Sequence, residues 1–103
     1  MYALVVRFDI RDEAAAAEFD GLTAEAVAQI MANEPGTLVY ATHAVEGEPH
    51  ARVFYEVYAD QAAFAAHNDA GYIKEFHAKK NPLLAGSHRV EMPLPGAAKG
   101  LPA

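Results

Sequence analysis

A chain of 103 residues, 52% hydrophobic and 21% charged, supports one small globular domain with one modest core and is too apolar to stay disordered. A formal charge of −6 disfavours nucleic acid and anionic membrane as partners, since neither would be attracted. The lack of cysteine excludes a disulfide framework, a thiolate metal site and a cysteine nucleophile.

The first predicted strand covers 2–10. Alternation puts Tyr2, Leu4, Val6 and Phe8 on one face and Ala3, Val5, Arg7 and Asp9 on the other, the pattern of a central strand covered on both sides. Arg7 is expected to reach solvent along its aliphatic stem, the alternative being a cation offered to a binding site. Because the amino terminus enters this strand without a charged and then apolar leader, and no run has the length of a membrane span, a cytoplasmic protein is expected.

From 12 to about 32 the chain reads as helix, with Ala15, Phe19, Leu22, Ala26 and Ile30 recurring at three and four residues. Asp12 and Glu13 suit its positive end, and Gly21 inside it serves either close packing or a bend. Asn33, Pro35 and Gly36 end the helix and turn the chain. A second strand follows over 37–45, alternating Leu38, Tyr40 and Thr42 against Val39, Ala41 and His43. Residues 46–49 have the length and composition of a hairpin loop, so the second and third strands should be antiparallel neighbours.

The third strand sends Phe54, Glu56 and Tyr58 to one face and Val53, Tyr55 and Val57 to the other. Asp60 is placed to cap a short helix over 60–67, whose Phe64 and His67 share a face. A further helical piece runs from 71 to about 79, separated by Asn68, Asp69 and Gly71, and Pro82 bars its continuation. The last strand is predicted over 85–92. Residues 1–95 make the domain, and 96–103, rich in proline and glycine, an extended or disordered arm. The order βαββααβ describes an α+β, ferredoxin-like antiparallel sheet. Strands apolar on both faces in so small a domain argue for a partner chain.

If the short helix folds back over the third strand, Phe54, Glu56, Tyr58, Phe64 and His67 border one semi-apolar space. A carboxylate buried there has its pKa raised, as a general acid or base requires, and an imidazole titrates near neutrality. The simpler roles are structural: Glu56 holding an amide or His67, and His67 stabilising a helix end. Tyr40, Tyr58 and Tyr72 either offer hydroxyls to an aromatic ligand or are core aromatics with satisfied tips. The five histidines form no HExxH and no pair three or four apart on a helix, so no metal site is expected. A phosphate loop and a GxSxG elbow are also missing.

The segments EPGTLVY at 34–40, FYEVYADQAAFAAH at 54–67 and GYIKEF at 71–76 resemble the antibiotic biosynthesis monooxygenase (ABM) domain family of the dimeric α+β barrel superfamily. The resemblance implies a homodimer whose sheets pack into a barrel, with a pocket between sheet and helices in each chain. It also implies a monooxygenase that needs no cofactor, in which the anion of a small aromatic quinol or phenol itself reduces dioxygen. Glu56 and His67 would then position or deprotonate the substrate, and Phe54, Tyr58, Phe64, Tyr72 and Phe76 would line the space. The quinone-forming branch has asparagine, tryptophan and tyrosine where this chain has Phe54, Tyr58 and Phe64. The haem-degrading branch has asparagine near Arg7, tryptophan at His67 and an axial histidine at His77, of which only His77 is retained. A hydroxy-ketone isomerase branch would also suit Glu56 and His67, and a non-catalytic ligand-binding or stress-associated dimer is the rival from another class.

Overall fold

The computed structural model describes residues 1–101. Strand β1 (Tyr2–Asp9) leads into helix α1 (Glu13–Asn33), then the hairpin of β2 (Thr37–Val45) and β3 (Glu48–Tyr58), helices α2 (Gln61–Asp69) and α3 (Gly71–Lys80), and a short edge strand β4 (Arg89–Glu91). The sheet is antiparallel in the order β2-β3-β1-β4, the ferredoxin-like arrangement expected from the element order.

The local signals that set these boundaries are visible atom by atom. Asp12 and Asp60, each in extended backbone, accept from the amides of Ala15 and Ala63, so each carboxylate satisfies a helix-start donor that would otherwise go unpaired. The β2–β3 connection is tighter than the four-residue loop expected. It is a two-residue turn at Glu46 and Gly47, and Gly47 has φ +77°, a conformation that costs glycine little.

Alternation on β1 and β3 survives intact. Leu4, Val6 and Phe8 join Phe54 and Tyr58 in a core that α1 closes with Ala15, Ala16, Phe19 and Ala26, and α3 with Phe76. Phe19 reaches both Phe8 and Phe54, with ring centroids 5.3 and 5.8 Å away. The helices thus cover one face. The other face carries Ala3, Val5, Val53 and Tyr55, all half-buried, and the segment 93–101 runs beside Met1, Ala3, Tyr55 and Val57 with no helix or strand of its own. The last two residues of the arm expected over 96–103 lie outside the described residues.

The predicted strand 85–92 shortens to three residues. Leu83 and Ala85 still bond to the Arg11 amide and the Asp9 carbonyl, but the chain bends at Ala85 and Gly86 and rejoins β1 only opposite Val5, Val6 and Arg7. The detour lays the His88 ring 5.8 Å from Phe8. Arg7, on the outer face, is held by Asp9 at 3.0 Å and Glu48 at 2.8 Å, the solvent-side role expected of it.

Two glycines in this frame have opposite roles. A Cβ on Gly36 would lie 2.8 Å from the Cβ of Ala63, because α2 packs directly on the turn into β2; a Cβ on Gly21 would meet nothing within 4 Å. Gly21 therefore serves no close packing. Gly36→Ala is expected to destabilise by about 1–3 kcal/mol through overpacking, and Gly21→Ala to stabilise by up to about 1 kcal/mol through helix propensity. Urea unfolding of the two variants checks both signs.

Candidate active site

The site begins with the register of the sheet. Glu56 lies mid-strand, opposite Leu4 of β1 on one side and Tyr40 of β2 on the other, and is 6% exposed. A carboxylate there has lost most of its water, so burial pushes its pKa up; the Tyr58 hydroxyl, donating at 2.5 Å, and the charges of His67 and Lys80 pull it partly back. The same carboxylate and the burial drive the Tyr58 phenol far above its ordinary range.

Helix α2 brings His67 over the sheet, its ring 5.5 Å from Tyr40 and 5.2 Å from Tyr58. Its partner is not Glu56 but Glu34, whose Oε1 lies 2.7 Å from His67 Nδ1. Glu34 closes the end of α1 and also accepts from Thr37 Oγ1 at 2.6 Å and from the Tyr72 hydroxyl. Burial alone would raise the Glu34 pKa, but the hydrogen bonds from Thr37, Tyr72 and His67 outweigh it and bring the pKa below the ordinary value. An ionised carboxylate on Nδ1 fixes the ring and leaves Nε2 as the nitrogen for proton exchange, the arrangement of a carboxylate-oriented general base.

Glu56 and His67 border one cavity of about 550 Å³, walled by Leu4, Val6, Phe64 and Phe76 among others. That is the size of a small-molecule site. Not every predicted wall residue faces it. Phe54 and Tyr58 are 1% and 0% exposed and pack in the core behind the wall, because their rings are held by Phe8, Phe19, Tyr40 and Phe64. Tyr72 turns to the groove between α1 and α3, where it neighbours Leu22, Ala26 and Glu75, and it reaches the site only through Glu34. These three positions are corrected from lining to supporting residues.

The sequence pointed to neither Glu34 nor Lys80 as a site residue, and to His77 only through its match to the haem-degrading branch. Glu34 stands in a Glu-Pro-Gly turn, where an acidic residue normally means solvent. Lys80 is 2% exposed; its Nζ donates to His77 Nδ1 at 2.8 Å and to Asn81 Oδ1 at 3.2 Å. Burial lowers its pKa to about 8, with Glu56 opposing. Burial and the neighbouring Lys80 charge hold His77 down to about 4, so it is neutral at neutral pH. The available signal was spacing: His77 and Lys80 are three apart on α3, and Lys80 lies one turn beyond Phe76. Among the described residues no group of three or more histidine, aspartate or glutamate side chains is placed to hold a metal ion. No helix among them is long and apolar enough to cross a membrane.

Sheet, helices and chamber together define a ferredoxin-like α+β protein with a mostly apolar, small-molecule-sized pocket bordered by the titratable side chains of Glu56, His67, His77 and Lys80 among others. The chain belongs to the antibiotic biosynthesis monooxygenase family, whose profile matches residues 1–79. It is similar to the crystal structure of a candidate antibiotic biosynthesis monooxygenase from Caulobacter crescentus, at 30% identity over 89% of this chain and 86% of that one, with a TM-score of 0.84. Counterparts from Bacteroides thetaiotaomicron (23% identity, 99% and 94% covered, TM-score 0.83) and Nitrosomonas europaea (19%, 92% and 98%, 0.85) share the fold. No curated protein matches the chain. Family and neighbours support a monooxygenase-like role in general terms.

Proposed function

We propose that the protein is a cofactor-independent monooxygenase whose substrate is a small aromatic phenol or quinol bound between sheet and helices. The observation that supports this most is the presence of His67, oriented by Glu34, and Glu56, bonded to Tyr58, on the wall of one largely apolar cavity. His67 Nε2 takes the proton of the substrate hydroxyl, and the ionised Glu34 stabilises the imidazolium that results. Glu56 accepts a hydrogen bond from a second hydroxyl of the substrate. The phenolate passes one electron to dioxygen, a step a neutral phenol performs poorly. Recombination and loss of water then convert a ring C–H and the O–H into a quinone, one oxygen atom entering the ring and the other leaving in water.

His67→Ala is expected to lower oxygen uptake with a responsive phenol about 10²–10⁴-fold, and Glu56→Gln to lower it less, since the amide keeps the shape but not the acceptor strength. An oxygen electrode with a panel of phenols and quinols reads both. Unchanged uptake in both variants removes the pair from the mechanism; ligand-induced thermal shifts without oxygen uptake in the wild type favour a binding protein instead.

We infer further that two copies pack through the outer sheet face, where Ala3, Val5, Val53 and Tyr55 alternate with the buried set. Sedimentation at micromolar concentration is expected to give twice the 11.1 kDa chain mass; a monomer would overturn this.

A further inference from the structure

The mechanism leaves one charged group in the cavity wall unused. Lys80 ends α3 with its ammonium inside the protein, over the Phe8 ring at 5.1 Å and the Phe76 ring at 5.5 Å. Its hydrogen-bond acceptors, the His77 nitrogen and the Asn81 oxygen, are both neutral. Among the described residues no carboxylate forms an ion pair with it. Glu56, the carboxylate whose field it feels, is bonded to Tyr58.

A buried ammonium is costly, and aromatic faces and neutral acceptors offset that cost only in part; a negative oxygen offsets it far better. Aliphatic and aromatic walls beside the cation give a ring a place to lie, with Val6, Phe64, Phe76 and Val90 bordering the same space. The chamber therefore combines apolar walls with a positive charge that has no carboxylate in direct contact, Glu56 acting on it only through its field.

We propose that Lys80 is the anion anchor of this cavity, its ammonium receiving the negative oxygen of an aromatic ligand, phenolate or ring carboxylate, so that the pocket selects acidic aromatics over neutral ones of the same shape. The inference rests on the reading of the cavity as a ligand site and narrows the substrate class within it. Transfer of a phenol's proton to His67 leaves an oxyanion and an imidazolium; Glu34 faces the imidazolium, and Lys80 faces the oxyanion.

Calorimetric titration with 2-naphthoate and its neutral counterpart 2-naphthamide tests it on the full chain. The wild type is expected to bind the naphthoate about tenfold or more tightly than the amide. Lys80→Met, similar in length and apolar, is expected to bind the amide as before and to lose the preference; Lys80→Gln serves if the methionine variant does not fold. A purely structural lysine would weaken both probes together, which overturns the proposal. So does equal binding by the wild type, or a preference that survives the substitution, and either leaves the cavity standing as a ligand site. If neither probe binds, the anchor and the ligand-site reading fall together.

Discussion

Glu34→Ala is expected to destabilise the protein by about 3–5 kcal/mol, the range for breaking a buried charged pair by removing one member. The side chain is 9% exposed and is shared by three donors on three elements: Thr37 at the start of β2, His67 on α2 and Tyr72 on α3. Alanine leaves all three facing a void at the point where the end of α1 meets them. Glu34→Gln separates stability from chemistry. The amide keeps the volume and an acceptor, so the fold should lose less, but it cannot neutralise an imidazolium on His67. Oxygen uptake should then fall about 10–100-fold, as when a residue that orients and polarises a functional histidine is lost. Guanidinium unfolding and an oxygen electrode measure the two effects independently. A glutamine variant that is as active as the wild type would remove Glu34 from the proton path and leave it a structural clamp.

Acidification is expected to unfold the protein mainly through His77. Its pKa falls from 6.5 to about 4 on folding, because the ring is buried and faces the Lys80 ammonium, with His67 and His88 adding to the repulsion. Between those two values the unfolded chain binds more protons than the folded one, so stability is retained above pH 6.5 and lost as pH falls toward 4. The full effect is at most about 3 kcal/mol, reduced by solvent screening because the ring is only partly buried. Glu34, whose pKa is lowered, adds a second loss below pH 4.5 in the same direction. Lys80 acts at the other end: with its pKa lowered to about 8, stability rises between pH 8 and 10.5 as the ammonium is discharged. Stability measured by urea unfolding at intervals from pH 4 to pH 8 should decline below pH 6.5 in the wild type, and the decline should start about two units lower in His77→Gln. The same onset in both would show that His77 is not the group responsible.

The strand faces were legible because a two-residue period tolerates no slip when one face is buried: Leu4, Val6 and Phe8 had to lie with Phe54 and Tyr58. The Asp60 cap was legible for a similarly local reason, since a cap bonds an amide only three residues away; Asp12, read only as a charge suited to the helix start, caps α1 in the same way. The extent of the fourth strand was not. Its apolar alternation is weak, and Gly86 with Ser87 permits a bend that edge pairing is too weak to resist. Glu56 and His67 were correctly sent toward one space, because both positions follow from local periodicity. The partner of His67 did not follow: Glu34 and His67 are 33 residues apart, and no period in the chain links the end of the first helix to the end of the second.

Alone, the order of residues settled which side chains turn inward, where helices begin, and the family to which the chain belongs, since each depends on near neighbours or on a pattern carried along the chain. Tertiary structure alone decided the chemistry around those side chains. It paired His67 with Glu34, closed the bond between Glu56 and Tyr58, withdrew Phe54 and Tyr58 behind the wall, turned Tyr72 to the groove between α1 and α3, and buried the Lys80 ammonium among rings. Proton affinity depends on what surrounds a group in space, and those surroundings exist only once distant segments have packed.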